Sequence, residues 1–434
     1  MSKKVLIITY YWPPSGGAGV QRWLKFAKYL PEFGWEPVIY TPENPYFAIK
    51  DESLVKDLPQ DIKVIKKKIF EPYRLYERLV GEKGGSVNQG FIDQEKENAS
   101  IASKISLWIR GNLFIPDARR FWIGPSVRYL NRYLKKQPVD AIVTSGPPHS
   151  MHLIGKRLKK KMNIPWIADF RDPWTQIDFY HKLNISKFAD QIHRKLERSV
   201  FNLADTVLTV NWQMKYEFQR IGGQKIEVLT NGFDEDDFPA KKQKDIRKFT
   251  VFHLGSMNSD RNIDSFWKSL KDISARNENF HSQLRVVLIG KIDSSVFKSI
   301  AKYDLTSQLE HIDYMPHEEA LSMAGEASLL YLPLNQTHNV KGITPGKLYE
   351  YLALKRPILC IGHKNGDAAK ILDKTGAGKN FQPEDNEGMQ NYIIKVFERN
   401  YSIENADIEE FSRKNLTKKL DAILTDLKDA KSTK

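Results

Sequence analysis

The residues best suited to acid–base or ionic chemistry in the first half of this 434-residue chain follow apolar, strand-like runs. His149 follows one such run, and its imidazole could hydrogen-bond a substrate hydroxyl or act as an acid or base. Asp169, Arg171 and Asp172 follow the next run. We expect Arg171 to form a salt bridge with Asp169, which makes Asp172 the freer carboxylate. His149 and Asp172 are therefore candidate catalytic groups, with structural roles as the alternative.

The second half of the chain supplies cations suited to a phosphate. Arg261 lies near a helix start, shortly after a strand-like run that ends before Gly255. Lys347 lies in the first turn of another predicted helix, and Glu350 shares its face three residues later. A cation for a diphosphate beside a carboxylate for ribose hydroxyls fits a sugar nucleotide. An ordinary surface pair is the alternative.

Glycines at predicted strand-to-helix turns are candidate substrate-binding residues. Gly16 and Gly17 precede the first amphipathic helix, where backbone amides can approach an anion closely. Thr344 and Gly346 occupy a similar turn, and Thr344 is predicted to cap the helix that follows. The first turn is not a dinucleotide fingerprint, since Arg22 occupies the third glycine position, and it lacks the Gly-Lys-Ser/Thr of a Walker loop. A plain tight turn is the alternative.

The elements that must position these residues alternate between strand and helix patterns. Apolar, β-branched runs recur in both halves, and segments with apolar spacing near 3.6 lie between many of them. This alternation predicts an α/β protein with parallel sheets covered on both faces. Strands are expected at 5–9, 141–144, 166–168, 206–210, 226–229, 249–254, 284–289, 329–332 and 357–361.

The chain is expected to form two doubly wound, Rossmann-like domains. The first covers residues 1–236 and contains a basic and aromatic insertion at 70–134. A polar stretch at 234–248 without apolar periodicity predicts the linker, and the second domain covers 249–405. The segment 406–434 has apolar residues at helical spacing and predicts a final packing helix. Two such domains facing one another would place the carboxyl ends of both sheets at a shared cleft.

The net charge of +14 suggests a phosphate-bearing partner, either nucleic acid or an anionic membrane surface. A well-solvated surface with a slight excess of lysine is the alternative. The insertion at 70–134 mixes aromatic with basic residues, which suits an anionic membrane surface. Packing of its aromatics on the first domain is the alternative. Nucleic acid is disfavoured as a partner, although stacking and phosphate contacts would use the same residue types.

The sequence also predicts the compartment. A single cysteine, Cys360, excludes an internal disulfide and suits a reducing environment. The apolar run near the N-terminus is too short for a signal peptide. The sequence contains no run of about 18 uncharged apolar residues that could span a membrane. We expect a cytoplasmic protein.

The chain resembles the retaining glycosyltransferases of family 4, which have the two-domain GT-B fold. The stretches 204–210 and 226–234 are similar to the passage that closes the family's acceptor-binding domain. The turn at Gly16 and Gly17 resembles the family's turn that faces the sugar nucleotide. In the stretch 346–357, Glu350 matches the second glutamate of the family's E-x7-E pair.

Three positions depart from the family pattern. Gly342 stands where the first glutamate of the pair is usual, and Ser256 replaces the usual arginine, which leaves Arg261 near the family's lysine position. Ser145 aligns with the family's histidine, four residues before His149. These departures affect the contacts to the donor sugar.

The resemblance implies a hexosyltransferase that moves a sugar from a nucleoside diphosphate sugar with retained anomeric configuration. It also implies that no metal or other cofactor is obligatory, so Arg261, Lys347 and helix N-termini would offset the leaving-group charge. Gly255, Thr344, Gly346 and Glu350 would bind the donor. The last helix would cross back onto the first domain.

A lipid-linked or polysaccharide acceptor at the cytoplasmic membrane face is the expected partner. Two alternatives stay open at this point: a sugar-nucleotide epimerase of the same architecture, and a non-catalytic subunit that binds nucleotide sugars.

Overall fold

The computed structural model divides the chain into two compact α/β units. The first comprises Met1–Thr230 and Thr417–Lys434, and the second comprises Asn231–Leu416. The first unit thus ends a few residues before the boundary expected at 236, and the tail joins it from 417 rather than 406. The structure describes residues 2–46, 50–59, 61–71, 108–109, 111–177, 180–238, 248–337, 339–401, 403 and 406–432.

Parts of the expected insertion at 70–134 and linker at 234–248 fall outside the described residues, namely 72–107, 110 and 239–247.

The first unit is built on a parallel sheet in the order β3-β2-β1-β4-β5-β6-β7. Neighbouring strands pair in parallel throughout. The direction of winding reverses between β1 and β4, and such a switch point is where doubly wound folds bind ligands. The strands are β1 Lys3–Ile8, β2 Trp35–Pro42, β3 Lys63–Lys67, β4 Ala141–Gly146, β5 Trp166–Phe170, β6 Thr206–Thr209 and β7 Ile226–Val228.

Helices follow these strands and cover the sheet. Their bounds are α1 Ala18–Tyr29, α2 Arg120–Lys136, α3 Ser150–Met162, α4 Lys187–Leu203 and α5 Trp212–Arg220. The helix α4 begins where the Ser186 side chain accepts a hydrogen bond from the amide of Ala189. Asn211 caps α5 in the same way through the amide of Met214. The inner face of α2 packs into the core, where Trp122 stacks on Tyr40 at 4.9 Å.

The second unit repeats the architecture with a six-stranded parallel sheet in the order β10-β9-β8-β11-β12-β13. Its neighbouring strands also pair in parallel, and its winding reverses between β8 and β11. The strands are β8 Phe249–Leu254, β9 Leu284–Ile289, β10 Leu309–Ile312, β11 Leu329–Pro333, β12 Ile358–Ile361 and β13 Gly378–Phe381. Two parallel sheets with covering helices confirm the predicted fold class.

The helices of the second unit are α6 Asp264–Arg276, α7 Glu278–Gln283, α8 Ser294–Lys302, α9 His317–Ala324, α10 Gly346–Leu354, α11 Asp367–Thr375 and α12 Asn386–Phe397. The expected cap of α10 is wrong. Pro345, with φ −65° and ψ 152°, occupies the N-cap position, and no side chain caps the helix. Thr344 therefore lies one residue too early for its hydroxyl to do so.

A long helix, α13 Arg413–Ser432, ends the described chain. Within the first unit, its Asp421 carboxylate accepts hydrogen bonds from Lys3 Nζ at 3.2 Å and from Trp35 Nε1 at 2.8 Å. Leu420 and Leu424 are buried. The tail is therefore a core-packing helix of the first unit from residue 417 onward.

The single cysteine, Cys360, is buried in β12. None of the helices in the described part of the chain is long and apolar enough to cross a membrane.

Candidate functional site

The ends of β8 and β9 come together in the second unit at two glycines with left-handed backbones. Gly255 follows β8 with φ +112°, and Gly290 follows β9 with φ +121°. A Cβ on Gly290 would lie 2.8 Å from the carbonyl carbon of Gly255, and one on Gly255 would lie 2.2 Å from Nζ of Lys347. Only glycine fits this approach. The Lys347 ammonium consequently lies against the main chain at the end of β8.

Arg261 is held at the same switch point, beside the end of β11. Its Nε donates to Oδ1 of Asn335 at 2.6 Å, and its Nη1 donates to the Ser256 carbonyl at 2.9 Å. Burial lowers the pKa of Arg261. Burial also lowers the pKa of Lys347, and the charge of Arg261 lowers it further, while Glu350 opposes the change. Two desolvated cations thus lie at one switch point, and the charge of Arg261 disfavours the charged form of Lys347.

Helix α10 brings further candidates to this place. Gly346 is its first residue and is exposed, and a Cβ there would meet no atom within 4 Å. Lys347 comes next and is half-buried. Because it lies in the first turn, its charge is at the positive end of the helix dipole. The Glu350 carboxylate lies one turn on, 3.5 Å from Nε2 of His317. Thr344 is partly buried before the helix.

Two buried side chains fix this arrangement. The Leu254 amide donates to the hydroxyl of Tyr351 at 2.9 Å, which joins the end of β8 to α10. His253 lies behind, with Nδ1 3.0 Å from the Tyr331 carbonyl. Burial, with the charges of Lys347 and Arg261, lowers the pKa of His253 to about 4. The histidine is therefore neutral near pH 7, and the cations carry the positive charge.

In the first unit, Asp169 forms a buried ion pair, but with Arg22 rather than with Arg171 as expected. The Arg22 Nη2 lies 2.9 Å from Oδ1 of Asp169, and both side chains are at most 1% exposed. Trp23 Nε1 donates to the same carboxylate at 2.7 Å, and Ser145 Oγ donates at 3.1 Å. The expectation was wrong because the partner is 147 residues away in sequence: Arg22 extends from α1 to the carboxyl end of β5.

Arg22 also reaches the end of β7. Its guanidinium donates to the carbonyls of Leu229 and Thr230, each at 2.8 Å. One side chain thus joins the start of α1 to the ends of β5 and β7. Arg22, whose presence in place of a glycine excludes a dinucleotide fingerprint, is thus the residue that anchors α1.

Arg171 joins the first turn of α1 to the loop after β4, at the switch point between β1 and β4. Its Nη1 donates to the Gly19 carbonyl at 2.8 Å, and its Nη2 donates to the Pro147 carbonyl. Its guanidinium lies 5.5 Å from the ring centre of Tyr11. The glycine turn is held in this way: Gly17, with φ +88°, is the exposed N-cap of α1, and Gly16 is partly exposed beside it.

His149 lies at the N-cap of α3, in the loop that Arg171 holds. Its ring stacks on Trp174 with the centroids 4.9 Å apart and an interplanar angle of 2°. Burial, with the charge effects of His152 and Arg171, holds its pKa well below 6.5. Its Nδ1 has no hydrogen-bond partner among the described residues. His149 is thus a neutral, buried ring with one nitrogen that has no partner among the described residues. Asp172 is exposed in the bend after β5.

The structure therefore gathers the predicted residues into two groups. Gly255, Arg261, Gly346, Lys347 and Glu350 lie around the start of α10, with Thr344 just before it. In the first unit, Arg171 connects the glycine turn to the loop of His149. No group of three or more His, Cys, Asp or Glu side chains that could hold a metal occurs among the described residues.

Two family models match consecutive parts of the chain. Residues 94–237 match the model described as Glycosyltransferase Family 4, and residues 234–415 match the one described as Glycosyl transferases group 1. The chain belongs to the family 4 glycosyltransferases. In this glycosyltransferase, every second-unit candidate lies within the group 1 match.

Solved structures share the GT-B fold of this glycosyltransferase at low identity. The lipopolysaccharide outer core galactosyltransferase WaaB is 13% identical with a TM-score of 0.57, covering 98% of this chain and 99% of its own. A trehalose-6-phosphate protein from E. coli bound with UDP-2-fluoro glucose is 10% identical with a TM-score of 0.58, covering 98% and 99%. A putative UDP-N-acetylglucosamine 2-epimerase from Listeria monocytogenes is 9% identical with a TM-score of 0.54, covering 98% and 96%. Among curated sequences, none is significantly similar to this chain.

Sequence patterns missed several residues that hold each of the glycosyltransferase's two sites in place within its own unit. Gly290 follows a predicted strand just as Gly255 does, and this parallel could have identified it. Asn335 binds the guanidinium of Arg261, and Tyr351 binds the amide of Leu254. These partners are far away in sequence, so no local sequence pattern identifies either residue. Arg22 stood out only as the residue that replaces a glycine.

The buried histidines predict how stability depends on pH. Burial lowers the pKa of His152 to about 3 and of His253 to about 4, and it lowers the pKa of His149 and His193. The unfolded chain binds protons at these rings near pH 6.5, whereas the folded protein does not. Stability should therefore fall as the pH decreases below about 6.5. Urea denaturation between about pH 7 and about pH 5 measures the slope.

The exposed His281 provides the control for this prediction. A His281→Gln variant should keep the slope of the wild type. A free energy of unfolding that stays constant over this pH range would contradict the neutral, buried state of the four rings.

Proposed function

We propose that this glycosyltransferase transfers a hexosyl group from a nucleoside diphosphate sugar to an acceptor hydroxyl, with retention of the anomeric configuration. The observation that carries the proposal is the convergence of Arg261 and Lys347 on the glycine-lined ends of β8 and β9. Both cations are desolvated, and both lie where a doubly wound sheet binds its ligand.

The charges at this site match a diphosphate leaving group. An ammonium and a guanidinium, together with the amides at the start of α10, would form charge-assisted hydrogen bonds to phosphate oxygens. Such fixed donors stabilise the negative charge that develops as the sugar–phosphate bond breaks. We propose that these groups suffice without an obligatory metal ion. Glu350 would accept hydrogen bonds from the ribose hydroxyls.

The chemical step proposed follows from the family resemblance. The bond between the anomeric carbon and the diphosphate oxygen breaks, and the electron pair leaves with the diphosphate. The acceptor oxygen bonds to the same face of that carbon, and its proton passes to the departing diphosphate. The neutral His149 ring would accept a hydrogen bond from a substrate hydroxyl, and Asp172 would orient the acceptor.

The acceptor proposed is a lipid-linked or polysaccharide hydroxyl at the cytoplasmic face of the membrane. The positive charge of the chain supports an anionic surface as a partner. The similarity of fold to a lipopolysaccharide galactosyltransferase is consistent with an acceptor of this class.

An epimerase is the second candidate, favoured by the shared fold of the Listeria protein. Incubation with a nucleotide sugar but no acceptor separates the candidates by product. An epimerase returns an isomerised nucleotide sugar, whereas a transferase slowly releases the free sugar and the nucleoside diphosphate. A non-catalytic subunit releases neither. A Glu350→Ala variant controls for contaminating activity.

The donor site is tested by thermal melting against a panel of nucleoside diphosphates and their sugars. A ligand at a hundred times its Kd stabilises the folded state by about 2.7 kcal/mol. We expect one base to raise the melting temperature, and we expect Arg261→Ala to lose that rise. Equal melting temperatures across the panel would contradict the proposal.

Arg171 gives a prediction specific to the first unit. Arg171→Lys keeps the charge but cannot present a planar fork to the carbonyls of Gly19 and Pro147. Without these bonds the start of α1 and the loop after β4 lose their common anchor, and kcat/KM for transfer should fall by about tenfold or more. Nucleotide-induced stabilisation, which depends on the second unit, should persist. The exposed Arg157→Lys is the matched control, and equal kcat/KM in the two variants would contradict the role of Arg171.

A further inference from the structure

One edge of the first unit carries exposed apolar side chains close together. Phe70 lies just after β3, and Phe121 lies in the first turn of α2; they are 56% and 45% exposed. Their ring centroids are 5.7 Å apart, and the Phe114 ring lies 6.2 Å from that of Phe121. Leu113, which precedes Phe114, is 53% exposed. We call these four residues the apolar tip.

Cations continue from the apolar tip along the outer face of α2. Positions 121, 125, 128, 132 and 135 recur at spacings of three and four, so they share one face of the helix, and all five are exposed. Three of them are Arg128, Arg132 and Lys135. The opposite face is buried in the core and includes Trp122 and Leu130.

The edge strand β3 adds lysines beside this helix. Lys67 Nζ lies 4.3 Å from the ring centre of Tyr129, and Lys63 Nζ lies 5.2 Å from that of Tyr133. Both tyrosines belong to α2. We call Lys63, Lys67, Arg128, Arg132 and Lys135 the basic stripe.

The two stretches that carry this surface contain no opposite charge. Residues 63–70 and α2 together hold nine Lys and Arg and neither Asp nor Glu. Of the carboxylates that flank residues 63–70, Asp61 is exposed, whereas Glu71 is buried and its Oε1 lies 3.0 Å from Nε of Arg119. The charge of Glu71 is therefore neutralised inside the unit.

We propose that the apolar tip and the basic stripe form a docking surface for the headgroups of an anionic lipid bilayer. Aromatic rings enter the interface between headgroups and acyl chains, and adjacent cations bind anionic headgroups. Each cation at such a surface strengthens binding about fivefold. Single-stranded nucleic acid fits less well, because it stacks its bases on open ring faces. Here lysines cover the faces of Tyr129 and Tyr133, and the Arg120 guanidinium lies 5.9 Å from the ring centre of Phe121.

The docking surface is argued independently of the proposed function. Only its consequence, bringing the enzyme to a membrane-borne acceptor, rests on that function. The experiment measures flotation of the full chain with vesicles of phosphatidylcholine, with and without phosphatidylglycerol. The wild type should float with the anionic vesicles and separate from them as salt is raised. The double variant Arg128→Gln/Arg132→Gln should bind at least about tenfold more weakly.

Two further variants complete the test. Phe70→Ser/Phe121→Ser should weaken binding even to strongly anionic vesicles, whereas Arg157→Gln/Lys160→Gln removes the same charge from exposed positions of α3 and should bind as the wild type does. Melting temperatures show that each variant folds. Equal flotation of all variants would overturn the proposal, as would tight binding to single-stranded RNA without binding to vesicles.

Nucleotide-induced stabilisation is measured on the same samples. Loss of flotation with intact nucleotide binding locates the defect on the docking surface. Flotation by a wild type that binds no nucleotide would refute the proposed function and leave the docking surface standing.

Discussion

A Lys347→Met variant should lose most of its affinity for the nucleoside diphosphate that stabilises the wild type. Methionine keeps the length and apolar stem of the side chain but removes the ammonium that lies against Gly255. Truncating one partner of a desolvated charge pair costs about 2–4 kcal/mol, or roughly a hundredfold in Kd. Isothermal titration calorimetry with that nucleoside diphosphate measures the loss.

The same variant should be more stable than the wild type when no ligand is present. Burial and Arg261 lower the pKa of Lys347, so the folded state disfavours its charged form. That penalty is present below the folded pKa and disappears as the pH rises above it, because the unfolded chain then binds more protons at this site. Methionine removes the penalty at every pH. The melting temperature without ligand should therefore rise while the ligand-induced increase disappears.

Lys298→Met is the matched control, since it makes the same change at an exposed position of α8. It should change neither the affinity nor the ligand-free melting temperature appreciably. If Lys347→Met binds the diphosphate as tightly as Lys298→Met does, the second unit does not use Lys347 to hold phosphate. A lower affinity together with a higher ligand-free melting temperature identifies Lys347 as a binding residue. Loss of a structural residue would lower both the affinity and the melting temperature.

The sequence predicts most inner strands of both sheets because they are buried on both faces, although it misses β2. β4, β5, β8 and β11 are largely apolar runs, which is the pattern of a parallel sheet covered by helices. Of the four edge strands, β7 is predicted, whereas β3, β10 and β13 escape prediction, since lysines and other polar residues interrupt them. An edge strand has one neighbour and more solvent, so its pattern carries a weaker signal.

Residues that depend on local geometry are also accessible from the sequence. Gly255 ends an apolar run, and Lys347 opens a helix, so each could be proposed as a candidate from its neighbours alone. The partner of Asp169 could not. Arg171 is two residues away and was the natural choice, but Arg22 of α1 binds the carboxylate instead. Arg171 donates to the carbonyls of Gly19 and Pro147. Pairings between distant segments leave no periodic trace.

The largest effect on stability should come from Asp169→Asn. The carboxylate of Asp169 is buried and neutralises Arg22, which is buried as well. Asparagine keeps the size of the side chain but leaves the guanidinium charged and unpaired inside the unit. Breaking a buried ion pair in this way costs about 3–5 kcal/mol, which is a large part of the stability of a typical domain. Urea denaturation at neutral pH measures the cost.

Asp61→Asn provides the matched control in the same unit, because the same change there affects an exposed carboxylate. Its cost should be within about 0.5 kcal/mol of zero. A second comparison isolates the charge: Arg22→Met in the Asp169→Asn background removes the unpaired guanidinium and should recover part of the lost stability. Equal costs for the two asparagine variants would mean that Arg22 keeps its charge satisfied through the carbonyls of Leu229 and Thr230 alone. The anchor of α1 would then be the end of β7, and the carboxylate at β5 would be dispensable.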